Sequence, residues 1–415
     1  MENVLTGKVL GINGLGRIGK LSLWNHLQMN YFDGFVINVG REVGKTLDDL
    51  LQVIETDSTY GNIHRFLNGY NGKKVDIQVL NHEIPLISVN GKKIKILRKA
   101  RNPRDINWAN EGVRLMLDCT GTFVDPCAQA DNPKGSLRGH LDAGAEKVIL
   151  SAPFKISESG RKIPDDAGMF VYGINHLNFD PARHLLISAA SCTTTGLAHM
   201  MKPLLDDEYT SDIVTASMST IHSMTNTQSI LDSVPKAAAS DLRKTRAVMN
   251  NIILSTTGAA KALEHVLPPI KNIGFMADSV RIPTATVSLI TLNITFYSHL
   301  NENKEAIINR QYLNSIYKMA AEGKQKDLLL FSERQNVSTD LIGTPAACVI
   351  EGFETHTRTG FLKFPVKQLK SLGLDKNSDI NLPVTHAKIF GWYDNELGSY
   401  VNCLGKLTAY VHQRM

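Results

Sequence analysis

The chain has 415 residues, 43% hydrophobic and 20% charged, with a formal net charge of +5. That length suits two domains, and a small positive excess without a block of like charges argues against nucleic-acid binding while suiting anionic metabolites. No apolar run approaches the ~18 residues of a membrane span, and five cysteines, few and widely spaced, form neither a disulfide framework nor a CxxC metal pair, so a reducing cytoplasm is expected.

Residues 7–39 read as one strand–helix–strand unit. "KVLGI" is an apolar strand, "NGLGRIG" a glycine turn, "KLSLWNHLQ" a helix and "FDGFVINV" a second strand. Gly14, Gly16 and Gly19 spell G-x-G-x-x-G between strand and helix. The first glycine permits the turn and the second lets a pyrophosphate approach the backbone. The third packs helix on strand, with the helix-start amides aimed at phosphate. The usual carboxylate at the end of the second strand, a partner for the adenosine ribose, is absent. "INVGRE" puts Val39 and Gly40 there, followed by Arg41 and Glu42. Loss of the carboxylate removes repulsion against a 2′-phosphate, and Arg41 offers a positive partner, which favours NADP or use of both cofactors. In the alternative, Glu42 reaches the ribose, or Arg41 merely faces solvent.

Further β-like segments ("VDIQVL", "PLISV", "KIKIL", "LMLDCTG", "KVILSAP") lead to "LISAASCTTTGLAHMM" at 186–201. A thiol, Cys192, stands where an apolar strand becomes a helix. Such a junction favours thiolate and can hold an oxyanion, although a lone cysteine is more often a small core residue. From 212 the texture changes to long β-branched runs, "DIVTASMSTIHS" and "VSLITLNITF", suited to an antiparallel sheet. His222 lies in the first, and a histidine can take a thiol proton. Arg243 and Arg246 in "DLRKTRAV", the hydroxyl-rich "STTGAAKA" loop with Gly258, and Arg281 in "DSVRIP" offer a phosphate-binding vocabulary. The stretch 361–384 is polar and turn-rich and reads as a surface excursion, and "LGKLTAYVHQRM" reads as a helix packed back on the first domain. The 13 histidines include no HExxH pattern, so no metal site is expected.

In order, "INGLGRIG", "TDSTYGNI", "SAASCTTTGLAHM", "STIHSMTNTQSILD", "DLRKTRAVMNNIILSTTGAAKA", "VRIPTATVSL" and "GWYDNELGSYV" resemble the phosphorylating glyceraldehyde-3-phosphate dehydrogenase family from about residue 7 to 411. The resemblance implies an α/β chain. A Rossmann dinucleotide-binding domain at 1–191 is completed by the C-terminal helix 394–415, and an α+β catalytic domain with a mostly antiparallel sheet spans 192–393. It implies a Cys192 hemithioacetal and thioester, His222 as base, hydride transfer to NAD or NADP, and phosphate as the final acceptor. Asn395 matches the residue that holds the nicotinamide carboxamide. Ser191, Thr193, Arg246, Thr257 and Gly258 match the attacking-phosphate site, and Thr225 and Arg281 the site for the substrate's C3 phosphate. Arg17 and Ile18 follow the turn at the pyrophosphate, Arg101 falls in the adenine region, and Thr120, Gly121 and Ser151 match further cofactor positions. A cytoplasmic homotetramer is implied, in glycolysis or gluconeogenesis.

Departures from the family pattern are specific. Val39 replaces the ribose-binding Asp, Ala189 and Thr195 replace asparagines of the cysteine loop, and Thr227 replaces an acidic residue. Ser233 stands where NAD-specific members carry a Leu-Pro pair, and Ser399 replaces an aromatic residue. Extra length falls near 127–138 and 361–384. The same chemistry on another phosphorylated aldehyde, such as erythrose 4-phosphate, and a non-catalytic nucleotide-binding paralogue are the competing readings.

Overall fold

The computed structural model describes residues 4–158 and 160–415. They divide into two compact units, one running to Cys192 and resuming at Glu396–Met415, the other spanning Thr193–Asn395.

The first unit opens with β1 (Val9–Asn13), α1 (Arg17–Met29), β2 (Gly34–Asn38) and α2 (Leu47–Glu55). It continues with β3 (Ile77–Asn81), β4 (Leu86–Val89), β5 (Lys92–Leu97), β6 (Leu115–Asp118), α3 (Leu137–Asp142), β7 (Lys147–Leu150), β8 (Ala167–Met169) and β9 (Leu186–Ser188). These strands make one sheet in the order β8-β9-β7-β6-β1-β2-β5-β4-β3. It is parallel from β8 to β5, with an antiparallel β5-β4-β3 edge. Every residue of β1, β2 and β6 is buried, as a parallel sheet covered on both faces requires. Alternation sorts the two faces: Leu10, Ile12 and Leu117 join one core with Trp24 and Phe32, while Val9, Val36 and Met116 join the other with Trp108 and Leu137. The C-terminal helix, Asn402–His412, contributes Leu404, Leu407 and Val411 to the first of these cores, beside α1.

α4 (Cys192–Asp206) begins at the thiol and leads into the second unit, burying Leu197, Met200, Met201 and Leu204. There follow β10 (Ile213–Ser223), β11 (Ile253–Ser255), α5 (Ala259–Val266), β12 (Gly274–Ile282), β13 (Ser288–Tyr297), α6 (Arg310–Glu322), β14 (Leu329–Ser332) and β15 (Cys348–Glu351). The last elements are β16 (His356–Phe364), α7 (Val366–Ser371) and β17 (Ile380–Tyr393). The sheet order is β11-β12-β10-β13-β17-β15-β14, with β16 paired to β17. Its ladders are antiparallel except β10·β12 and β14·β15. One face is buried in strict alternation. Ala216, Met218, Thr220 and His222 line it from β10; Ile290, Leu292 and Ile294 line it from β13.

The stretch 361–384 is exposed, but it is an ordered arm: β16 pairs with β17 over nine positions, from His356↔Lys388 to Phe364↔Ile380, with α7 at its tip. Its outer part, Phe361–Phe364 against Ile380–Pro383, is exposed or half-buried at every position and shows no apolar alternation, which is why the stretch reads from composition as a surface excursion.

Candidate active site

The glycine turn sits at the carboxyl end of β1, where ligands bind in open α/β sheets. Gly14 takes φ +93°, and a Cβ on Gly19 would lie 1.9 Å from the Gly14 carbonyl oxygen, so both positions demand glycine. A Cβ on Gly16 would meet nothing within 4 Å. Gly16 is the helix N-cap without a side-chain cap, and no acidic residue lies in the first turn of α1. The N–H groups of Arg17, Ile18 and Gly19, which have no intrahelical acceptor, therefore open onto space that suits a pyrophosphate. The guanidinium of Arg17 goes elsewhere: it bonds Glu396 and reaches Asp57 at 3.1 Å, and Lys20 meets the same Asp57 at 3.0 Å. What Arg17 offers the turn is its backbone. Ile18 packs against the core.

A buried network that the sequence did not reveal holds this end of the sheet. Asp118, fully buried at the end of β6, accepts from Asn13 Nδ2 (2.9 Å), Thr120 N (3.0 Å) and Thr120 Oγ1 (2.7 Å), with His140 Nε2 at 3.1 Å. Asn38 donates to Asn13 Oδ1 at 2.8 Å, and Trp108 Nε1 to His140 Nδ1 at 2.9 Å. Thr120, Val39, Gly40, Arg41 and Arg101 line one cavity of about 400 Å³. Arg101 Nε donates to the Gly40 carbonyl at 3.2 Å. Glu42 is turned away, paired with Arg98 at 2.9 Å beside a different cavity. Gly121 takes φ +64° next to Thr120. Ser151 lies beside the Cys119 thiol and partly offsets the rise in its pKa.

The thiol of Cys192 stands on the first residue of α4, half-buried. Ala190, fully buried two residues earlier, takes φ +56°, a left-handed conformation that costs a non-glycine residue about 1 kcal/mol or more. Three contacts hold it there. Ser188 Oγ accepts from Ala190 N at 3.1 Å and donates to Ala152 O at 2.7 Å, and Tyr400 Oη donates to Ala190 O at 3.3 Å. The loop that lacks the family's asparagine side chains is thus braced by a serine and a tyrosine.

In the second unit His222 is 4% exposed, at the end of the inward row of β10. Its Nδ1–H donates to the Ser223 carbonyl at 2.7 Å, which places the lone pair on Nε2. Burial, reinforced by the positive charge of Arg281, holds its pKa down at about 3. Arg281 lies opposite it in the β10·β12 register and donates Nη1 to Ser223 O at 3.2 Å. Tyr393 connects the pieces: its hydroxyl lies 2.8 Å from both Thr193 Oγ1 on α4 and Thr220 Oγ1 on β10, and its ring stands edge-on to His222 at 6.0 Å. Asn395 is buried, with Oδ1 accepting from Ser223 Oγ (2.7 Å) and Ser288 Oγ (3.2 Å). Val287, beside Ser288, takes φ +65°, a strained conformation for a β-branched residue.

The remaining phosphate candidates sit apart in their bonding. Thr225 Oγ1 meets Thr227 Oγ1 at 2.9 Å and Gln228 Oε1 at 3.0 Å. Thr257 Oγ1 accepts from Ala259 N at 3.2 Å beside Gly258, the N-cap of α5. Arg246 bonds Asp232 at 3.1 Å on an exposed segment, and Arg243 bonds Asp241 at 2.8 Å. Among the described residues no group of three or more His, Cys, Asp or Glu is placed to hold a metal ion. Among them, too, no helix is long and apolar enough to cross a membrane.

The uncapped glycine turn on a parallel sheet defines a dinucleotide-binding α/β unit, followed by a second unit with an inward-facing histidine. The family model described as "Glyceraldehyde 3-phosphate dehydrogenase, NAD binding domain" matches residues 8–126, and that described as "Glyceraldehyde 3-phosphate dehydrogenase, C-terminal domain" matches residues 191–395. The chain is 33% identical to glyceraldehyde-3-phosphate dehydrogenase 2 of Streptomyces avermitilis over 406 residues, 98% of this chain and 99% of the relative. It is also 33% identical to glyceraldehyde-3-phosphate dehydrogenase 1 of Bacillus cereus, over 402 residues, 97% of this chain and 98% of that one. The enzyme of Geobacillus stearothermophilus bearing the same family name is again 33% identical, covering 97% of both chains. The chain belongs to the glyceraldehyde-3-phosphate dehydrogenase family, and its first unit binds a nicotinamide dinucleotide.

Proposed function

We propose that the chain reversibly oxidises glyceraldehyde 3-phosphate to 1,3-bisphosphoglycerate through a thioester on Cys192. The observation that carries the reading is His222, a buried imidazole whose Nδ1–H is held by the Ser223 carbonyl so that Nε2 carries the lone pair. It takes the thiol proton as Cys192 Sγ bonds to the aldehyde carbon, returns it to the new alkoxide to give a hemithioacetal, and takes the hydroxyl proton again when the hydride departs. When bound, the nicotinamide supplies the hydride acceptor, which leaves a thioester on Cys192. A phosphate oxygen then attacks the acyl carbon, the C–S bond breaks, and the sulfur departs as thiolate.

Ser191, Thr193, Arg246, Thr257 and Gly258 are assigned to the attacking phosphate. Thr225 and Arg281 are assigned to the substrate's C3 phosphate, and Asn395 to orienting the carboxamide. The cofactor is NADP, or both NADP and NAD. Val39 carries no charge, Glu42 is paired with Arg98, and Arg41 and Arg101 line the adenosine-side cavity. The working form is a cytoplasmic homotetramer, with the domain boundary at the Cys192 junction.

Steady-state kinetics with glyceraldehyde 3-phosphate, inorganic phosphate and each cofactor test this. Phosphate-dependent reduction of cofactor is expected, with Cys192→Ser lowering kcat at least roughly a thousandfold. Absence of phosphate-dependent turnover overturns the reaction. A strong NAD preference overturns the cofactor reading alone.

A further inference from the structure

The match to the NAD-binding family model ends at residue 126, so the added segment near 127–138 lies beyond it. That segment is built into the first unit. Cys127 is buried, and Arg138 forms a two-bond pair with Asp166, both at 2.7 Å, while donating Nε to Pro126 O at 3.1 Å. Asn102, next to Arg101, donates to Asn132 O at 3.3 Å, which ties the segment to the strip that carries Arg101.

Between these anchors the chain makes one tight turn. Lys134 N donates to Asn132 Oδ1 at 2.9 Å and Gly135 N to Asn132 O at 2.8 Å. Gly135 takes φ +83°, and a Cβ there would come within 2.6 Å of the Phe123 ring and 2.7 Å of Pro103. Only glycine fits that position, so the backbone of Lys134 is fixed. Lys134 lines the same cavity as Arg41, Arg101, Gly40 and Phe123. Three cations line this cavity, and among its described lining residues there is no carboxylate. A ribose diol is ordinarily held by a carboxylate; three cations with none suit a dianionic phosphate.

We propose that Lys134, carried into the cofactor cavity by the 127–138 segment, reads the ribose 2′-phosphate of NADP together with Arg41 and Arg101. This rests on the NADP reading above and adds to it a residue and a segment that neither family model covers. Lysine acts there as a point charge on a flexible stem, held close by a rigid turn, while Arg101 is oriented by its bond to Gly40 O.

Isothermal titration of the full chain with adenosine 2′,5′-bisphosphate and, separately, with AMP tests it without turnover. The wild type is expected to bind the bisphosphate more tightly than AMP. Lys134→Met should weaken the bisphosphate roughly tenfold and leave AMP within about twofold, as loss of one charge-assisted contact predicts. Lys134→Arg should retain the preference, and Lys376→Met, on the distant-in-sequence arm, should change neither ligand. If Lys134→Met binds the bisphosphate like the wild type, or weakens both ligands equally, the assignment of Lys134 is overturned while the NADP reading stands. If the wild type binds the two ligands alike, both fall together.

Discussion

Cys192 is one thiol of five, and the other four sit where thiolate is disfavoured. Burial, with the adjacent Asp118 carboxylate, pushes the Cys119 thiol up to about 12, and burial alone pushes Cys403 to about 12 and Cys348 upward. Cys127 is also raised, again chiefly by burial. Only Cys192 combines partial exposure with the first position of a long helix, where unsatisfied amides favour an anion. Iodoacetamide at neutral pH should therefore alkylate Cys192 at least about ten times faster than any other cysteine, with loss of turnover in step. Peptide mass spectrometry over time gives the rates. Equal labelling of Cys192 and Cys119 would remove the case for an activated thiol.

Strand β17 shows how an element can serve a site through its far end. It carries Tyr393, paired with Ser288 at the strand's end, to a point where one hydroxyl meets Thr193 and Thr220, 200 and 173 residues away in sequence. Tyr393→Phe leaves both threonines short of a buried partner, which should destabilise the second unit by about 1–3 kcal/mol. Because Thr193 follows Cys192 and Thr220 precedes His222 by two, kcat should also fall with KM little changed, measurable alongside a urea midpoint. Such a residue is hard to read from sequence. The glycine turn and the Cys192 junction were legible because each is a local device, with strand, turn and helix in one run of about 20 residues. The alternating rows of β10 and β13 were legible for the same reason. Tyr393, the Asp118 network and Lys134 acquire their roles only from sheet order and from a turn closing beside a distant strand. The exposure of 361–384 was legible in its polar composition, while its strand pairing was not, because the outer part of that ladder buries neither face and carries no apolar alternation.

At the scale of the whole molecule, burial holds several histidine pKa values down and makes the chain acid-sensitive, most strongly at His26 in the first unit and His222 in the second. His26 in α1 is fully buried against Phe32, ring centroids 5.2 Å apart, and neither ring nitrogen has a hydrogen-bond partner. Burial holds its pKa down at about 3, and His222 in β10 is held at about 3 by burial and Arg281. In both, the folded pKa lies below the ordinary imidazole value of 6.5. The unfolded chain therefore binds a proton that the folded chain refuses, and the stability present above pH 6.5 declines as pH falls from there toward 3. The two residues belong to separate compact units, so their effects fall on different parts of the chain. His26→Leu removes two unsatisfied nitrogens from an apolar site and should stabilise the first unit by about 1–3 kcal/mol at neutral pH. It should also reduce that unit's loss of stability on acidification, while leaving the second unit's loss as it was. Peptide-resolved hydrogen exchange at neutral pH and near pH ~5 distinguishes the two, since it reads opening segment by segment. Slower exchange confined to peptides of α1 and its sheet is the expected result. Unchanged protection there would show that the buried imidazole is satisfied in solution, and equal gains in β10 would show that the units open together.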